Sequence, residues 1–225
     1  MIKHHPAREL LVKHSSAELP LALSIAVSAH LEMCPQCQAL ARQITSRQAD
    51  LLWSEEQTQE VDFSSMLNNI FEHQPALPLE QKVEGQKVEQ QNKPLNITSV
   101  AGSQYQLPRA LTSFEHLKWS AFGPISRARI IKDADNTRAS LLHIDKNGVI
   151  PSHQHKGYEL TLLLEGSFAD QDGVYHKGDF IWLDNQVEHA PFTKEGCLCY
   201  TVQDAPLHFV SGFSKALNPL GQLIY

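Results

Sequence analysis

The sequence predicts an α+β fold in two domains, a small N-terminal bundle of helices followed by an all-β barrel. Apolar residues recur at spacings of three and four up to about residue 73, whereas short alternating runs separated by turn residues follow residue 107. A polar stretch rich in Gln, Glu and Lys lies between these two patterns. We therefore expect a helical domain over 1–73, a linker over 74–106 and the β-domain over 107–225. The polar linker favours halves that fold separately.

Four helices are expected in the first 73 residues. Apolar pairs at helical spacing predict three of them before about Trp53, and the amphipathic segment 61–73 predicts the fourth. Ser15 followed by Glu18 matches a capping box, which predicts a helix start at this point, and Pro20 suits a first helical turn. Pro35 is expected in the first turn of the third helix, because proline is tolerated there.

Charge and hydropathy exclude several classes of partner. The formal net charge is −6, so the broad basic surface that direct nucleic-acid binding needs is not expected. The N-terminus, MIKHHPAREL, lacks the apolar core of a signal peptide, and the longest apolar stretches are too short to cross a bilayer. We therefore expect a cytoplasmic protein with no membrane partner, whose four cysteines are metal ligands or reduced thiols.

A first set of metal donors lies near the N-terminus. His30, Cys34 and Cys37 are spaced by four and then three residues, which places their side chains on one side of a helical segment. Zinc prefers a tetrahedral set of nitrogen and thiolate ligands, and either His4 or His5 could supply the fourth donor. Each residue alone could equally be a small buried side chain, but the three together favour zinc.

A second set of donors lies in the β-domain. His153, His155 and Glu159 share the same parity, so on one extended strand their side chains would point to the same face. His189 is expected to add a fourth donor from a neighbouring strand. Three imidazoles and one carboxylate suit Zn²⁺ or another divalent transition metal such as iron, manganese or nickel.

Two N-terminal segments carry a family resemblance. HHPARELL, followed by AHLEMCPQC, resembles the zinc-binding anti-sigma factors, and among them the ChrR group. The resemblance implies that a histidine near the N-terminus completes the zinc site, which points to His5, with His4 as the alternative. It also implies that the helical domain inserts between the two conserved regions of an extracytoplasmic-function sigma factor and blocks its access to core RNA polymerase.

A second resemblance lies in GVIPSHQHKGYELTLLLEG, which is similar to the first motif of the cupins. The histidine pair, Glu159 and Gly166 match that motif, and His189 matches the last ligand position. The resemblance implies a double-stranded β-helix, or jelly-roll barrel, with one metal site. The usual Pro-x-Gly turn before the last histidine is replaced by Asp-Asn-Gln at 184–186.

Both resemblances in this order imply a regulator, with no catalytic residues, that sequesters a sigma factor and releases it on oxidative stress, by singlet oxygen or organic peroxide. The alternative is a metal-dependent cupin dioxygenase with an accessory helical domain, and a metal-storage protein ranks last.

Cys197 and Cys199 alternate on an expected strand, so both thiols face one side and could respond to an oxidant. They could equally be two small buried residues.

Overall fold

The computed structural model of the chain describes residues 1–54, 63–72 and 97–210, except 113, 115, 116, 134, 135 and 186. Two compact units are present, one formed by Met1–Thr45 with Asn96–Tyr225 and the other by Ser46–Leu95. Most of the predicted linker lies outside the described residues. The assignment of domains to 1–73, 74–106 and 107–225 stays a prediction.

The helices agree with the sequence pattern. They are α1 (Arg8–Ser15), α2 (Leu21–Met33), α3 (Pro35–Ser54) and α4 (Phe63–Glu72). The prediction of a helix start at Ser15 is wrong, because Ser15 ends α1 and its hydroxyl donates to the carbonyl of Val12. The next helix instead follows Pro20, whose φ of −52° is already suited to a helix start. Pro35 begins α3, as predicted.

Twelve strands follow within the described residues, with a short 3-10 helix at Arg109–Leu111. The first six are β1 (Ile97–Val100), β2 (Ser103–Gln106), β3 (Trp119–Phe122), β4 (Ile125–Lys132), β5 (Arg138–Ile144) and β6 (His153–His155). The others are β7 (Glu159–Ala169), β8 (Val174–His176), β9 (Phe180–Leu183), β10 (Glu188–His189), β11 (Cys197–Gln203) and β12 (Leu207–Phe209). The antiparallel pair β1 and β2 occupies the end of the segment where a linker was expected, because Thr98 and Val100 alternate inward and are buried.

Two antiparallel sheets form the β-domain in the described part of the chain. The larger has the order β3-β4-β5-β11-β7-β8, with β9 also pairing with β7, and the smaller has the order β10-β6-β12. This architecture confirms the predicted all-β barrel of cupin type. Because successive side chains of a strand point to opposite faces, β5, β7 and β11 present one row of residues to each side of the larger sheet.

The outer face of the larger sheet packs directly on the N-terminal helices. Leucines of β5, β7 and β11 share one buried cluster with five residues of α2: Ala22, Leu23, Ala26, Val27 and Ala29. The buried hydroxyl of Tyr200 on β11 donates to the carbonyl of Ala22 at 3.0 Å. Composition favours two halves that fold separately. The structure instead shows α1 and α2 in one core with the sheet. The small residues of α2 let the helix approach the sheet closely.

Polar contacts fix both ends of α2 on the β-domain. At its start, the N–H of Ala22 donates to the carboxylate of Asp133 at 3.2 Å. At its end, the carboxylate of Glu32 accepts hydrogen bonds from the backbone N–H groups of Arg109 and Ala110 at 2.8 and 3.0 Å.

None of the described helices has both the length and the hydropathy needed to span a bilayer.

Candidate metal centres

The N-terminal donors converge at the junction of three segments. His5 precedes α1, His30 lies in the last turn of α2, Cys34 separates α2 from α3, and Cys37 lies in the first turn of α3. One ligand atom from each lies within 4.8 Å of all the others. Cys34 has an extended backbone, with φ of −117° and ψ of 98°, because Pro35 stops the helix from continuing through it. The side chains therefore meet across a break between two helices rather than along one.

The spacing of this cluster fits a zinc ion. Nδ1 of His5 lies 3.5 Å from Sγ of Cys34 and 3.3 Å from Sγ of Cys37. With Zn–S of about 2.3 Å and Zn–N of about 2.0 Å, tetrahedral ligands place nitrogen and sulfur about 3.5 Å apart. Burial raises the pKa of the Cys37 thiol to about 12, and the neighbouring Cys34 adds to this effect. A bound cation would reverse this effect, since a coordinating thiol is deprotonated.

The two adjacent histidines have different surroundings. The imidazole of His4 lies 3.5 Å from the buried carboxylate of Asp179 and packs against Tyr175. The backbone N–H groups of Lys3 and His4 also donate to Asp179, at 2.7 and 3.0 Å. The N-terminal segment is thereby held along the start of β9, with His4 turned away from the cysteines and His5 turned towards them.

His30 is oriented by the barrel. Its Nδ1 lies 2.9 Å from the carbonyl oxygen of Gly178, which only accepts, so Nδ1 carries the proton. Its Nε2 is buried and has no hydrogen-bond partner among the described residues, which leaves the lone pair for a metal. Burial lowers the pKa of His30 to about 4, so the ring is neutral at physiological pH, as a ligand must be.

The barrel donors come from both sheets. His153 and His155 lie on β6 and His189 on β10, directly opposite His153 in the register, whereas Glu159 opens β7 in the larger sheet. The expectation that the first three share one strand is therefore wrong, because the chain turns at 156–158 between β6 and β7. Their ligand atoms nevertheless lie within 4.8 Å of one another.

The distances within this second cluster also fit a metal ion. Nε2 of His189 lies 3.0 Å from Nε2 of His153 and 3.4 Å from that of His155, which in turn lies 2.6 Å from a carboxylate oxygen of Glu159. Ligands at about 2.0 Å from a tetrahedral ion lie about 3.3 Å apart, which the two distances from His189 approach, whereas the 2.6 Å between His155 and Glu159 is a hydrogen-bond distance. Nδ1 of His153 donates to the carbonyl of Pro151 at 2.9 Å, which directs Nε2 towards the cluster.

Electrostatics keep this cluster in the form that binds metal. Burial lowers the pKa of His153 to about 4, and the neighbouring imidazole of His189 adds to the effect. Burial by itself would raise the pKa of Glu159, but the imidazoles of His155, His189 and His153 outweigh it and hold that pKa well below its usual range. A neutral His153 and an ionised Glu159 are the protonation states that these two ligands need in order to bind a divalent cation.

Polar neighbours surround Glu159. Its carboxylate accepts the hydroxyl of Thr161 at 2.8 Å and the side-chain amide of Gln203 at 3.0 Å. The carboxylate of Asp170 lies 3.6 Å from Nδ1 of His189. Sequence reasoning missed Asp170 and Gln203, together with the Gly178 carbonyl, because no motif marks them. Only the pairing of strands brings them to the donors.

Cys197 and Cys199 both lie on β11 and are buried on the inner face of the larger sheet, as their alternation predicts. Cys199 lines the same cavity as Glu159 and His153. A hydrogen bond with Cys197, together with burial, raises the pKa of the Cys199 thiol well above its ordinary value. Both side chains therefore belong to the barrel interior.

The fold combines a helical region with a cupin barrel. Each carries a group of side chains that could hold a metal ion, the His/Cys cluster in the helical region and the His/Glu cluster in the barrel. Residues 108–206 match the family described as the ChrR cupin-like domain. Over 220 residues, covering 97% of both chains, the sequence is 28% identical to the anti-sigma-E factor ChrR of Cereibacter sphaeroides. The predicted resemblance to the ChrR group is confirmed.

A solved structure shares this fold. The chain is similar to the crystal structure of Rhodobacter sphaeroides SigE in complex with the anti-sigma ChrR, with a TM-score of 0.66, 23% identity and coverage of 90% of this chain and 99% of that chain. An RmlC-like cupin protein from Ralstonia eutropha JMP134 matches with a TM-score of 0.39 and 18% identity, over 42% of this chain and 68% of that chain.

The adjacent histidines offer a matched test of the N-terminal site. We expect His5→Ala and Cys37→Ser each to lose the metal of this cluster, because three donors bind less tightly than four. His4→Ala should retain it, since that ring contacts Asp179 instead. The measurement is metal content per folded chain after dialysis. If His4→Ala loses the metal and His5→Ala retains it, the assigned ligand is wrong.

The barrel donors should hold a second ion. The double variant His153→Ala with His155→Ala removes two of four ligands, so metal content should fall from about two ions per chain to about one. His176→Ala, which alters an exposed histidine of β8, is the matched control and should leave the content unchanged. An unaltered content in the double variant would refute a metal site in the barrel.

Proposed function

We propose that the protein is an anti-sigma factor that sequesters an extracytoplasmic-function sigma factor. The observation that carries this function is the similarity to the anti-sigma-E factor ChrR along 97% of both chains, which includes the helical region as well as the barrel. The solved complex of a ChrR with SigE supports the same class of partner. Because a sigma factor acts on RNA polymerase, the protein works in the cytoplasm, and it acts on transcription without contacting nucleic acid directly.

The described part of the unit Ser46–Leu95 carries a surface suited to such a partner. Five large apolar residues of α4 are at least half exposed and recur at helical spacing, so they form one face: Phe63, Met66, Leu67, Ile70 and Phe71. Leu51, Leu52 and Trp53 at the end of α3 are also exposed. Exposed apolar groups of this size mark interaction surfaces, and an amphipathic helix binds by laying its apolar face into a groove.

Zinc is the ion proposed for the N-terminal cluster, formed by His5, His30, Cys34 and Cys37. Two thiolates with two imidazoles are a tetrahedral donor set typical of structural zinc. The ion would tie the segment before α1 to the α2–α3 junction and so stabilise a helical region with a small core of its own. For the barrel, three imidazoles and one carboxylate suit zinc or another divalent transition metal.

Release of the sigma factor on oxidative stress, by singlet oxygen or organic peroxide, is the regulatory part of the proposal. A physical route runs through β9, whose last residue, Leu183, pairs with the barrel donor Glu159. At its other end, Phe180 packs edge-on against His30. A change in the barrel that shifts β9 would therefore reach the N-terminal cluster. Such a change releases the sigma factor only if the altered state binds it less tightly.

The alternative function, a metal-dependent dioxygenase, accounts for the barrel alone. It gives no role to the His/Cys cluster or to the exposed face of α4. A regulator uses the barrel, the His/Cys cluster and the exposed face of α4, so the protein is a regulator and not an enzyme.

A charge placed on α4 tests the proposed function. Ile70→Asp should weaken binding to the cognate sigma factor by at least about tenfold, because a carboxylate would have to be desolvated in an apolar contact. Asn68→Asp adds the same charge at a position about 130° from the centre of the apolar face and should change the affinity little. Affinities are measured by titrating the purified metal-loaded protein into the extracytoplasmic-function sigma factors of its source organism.

Two results would contradict this function. One is the absence of binding to every such sigma factor by the unmodified protein. The other is equal binding by the Ile70 and Asn68 variants, which would remove α4 from the proposed contact.

A further inference from the structure

The barrel contains a large, partly open cavity that the proposed function does not use. It has a volume of about 1250 Å³ and opens onto the donor residues His153, Glu159 and His189. Its walls are mainly apolar and include Leu142, Ile144, Ile150, Phe168, Leu207 and Phe209. Small-molecule sites in proteins commonly have volumes of about 300–1,000 Å³ and apolar walls with a few polar groups. The cavity is somewhat larger than this range and has the lining of a ligand site.

The net charge of the described residues that line this cavity is opposite in sign to the net charge of the whole protein. Among the described residues that line it, five are cationic: Lys118, Arg127, Arg129, Lys132 and Arg138. The one anionic residue in the same described lining is Glu159, which belongs to the donor cluster. The formal net charge of the chain is −6, so this concentration of positive charge is local. Such a cavity favours an anionic ligand with an apolar body.

Arg127 is held in a defined position by its neighbours. Its Nε donates to the hydroxyl of Ser140 at 3.0 Å, and one Nη donates to the side-chain oxygen of Gln203 at 3.2 Å. The amide of Gln203 in turn donates to the carboxylate of Glu159 at 3.0 Å. A guanidinium fixed in this way loses little further side-chain freedom when a carboxylate approaches, and its positive charge attracts that carboxylate.

We propose that this cavity binds an amphipathic carboxylate, a small molecule with one carboxylate and an apolar chain. The carboxylate pairs with Arg127 on β4, and the chain lies among the apolar side chains of the barrel interior. Through Gln203 the bound ligand is linked to Glu159, so occupancy is felt at the barrel donors. This proposal goes beyond sigma-factor binding and does not depend on it.

Decanoate is a suitable probe for this site, with 1-decanol and acetate as comparison ligands. Titration calorimetry on the metal-loaded full chain should give one decanoate per chain. Decanol lacks the charge and acetate lacks the apolar chain, so each should bind at least about tenfold more weakly. Absence of saturable decanoate binding, or equal binding of decanol, would overturn the proposal.

Variants of Arg127 identify the anchor. Arg127→Gln should weaken decanoate binding at least about tenfold. Arg127→Lys keeps the charge but loses the planar guanidinium, so its affinity for decanoate should lie between those of Arg127→Gln and the unmodified protein. Arg42→Gln, at an exposed position of α3, is the matched control and should bind normally. Undiminished binding by a folded Arg127→Gln would overturn the assignment.

If Arg127→Gln fails to fold, a second variant tests whether the ligand lies in the cavity. Val149 lines the cavity and is 50% exposed, so Val149→Trp fills part of the opening without disturbing the core. It should weaken decanoate binding by a similar factor while leaving the metal content unchanged. Normal binding by Val149→Trp would place the ligand outside the cavity and contradict the proposal.

Discussion

Burial of the outer face of the larger sheet is the constraint on which the remaining structure depends. The leucines that β5, β7 and β11 present outward would face water in an isolated barrel, and burying each contributes about 1.5–3 kcal/mol. Helix α2 covers them with a face of small and branched residues, including Ala26 and Val27. A helix that lies on a sheet in this way forms the layered arrangement typical of stable domains. The helices and the barrel therefore share one core.

This packing determines where the N-terminal donors lie. Because the last turn of α2 reaches the turn between β8 and β9, the ring of His30 meets the carbonyl of Gly178. Gly178 has φ of 92°, and its missing side chain leaves room for Ile2, which a Cβ atom would approach to 2.4 Å. The buried carboxylate of Asp179 then fixes the segment that carries His5. One turn of the barrel thus orients two of the four donors of the helical cluster.

Spacing within the sequence predicts the donors, the helices and the main strands, because each depends on periodicity or on chemically distinctive residues. His30, Cys34 and Cys37 could be recognised from neighbouring positions along the chain. The packing of α2 on the sheet could not, since an apolar helix face has the same pattern whether it covers a sheet or another helix. The role of Gln203 was equally hidden, because only the pairing of β11 with β7 places it opposite Glu159.

The central claim is that α2 and the barrel form one cooperative unit, and native-state hydrogen exchange tests it most directly. Residues in a common core become accessible to solvent through the same opening reaction. On the metal-loaded full chain, the amides of Val27 in α2 and Tyr200 in β11 should therefore exchange with the same opening free energy, to within about 0.5 kcal/mol. If Val27 exchanges through an opening several kcal/mol less costly while Tyr200 stays protected, the helices and the barrel are separate folding units and the account is contradicted.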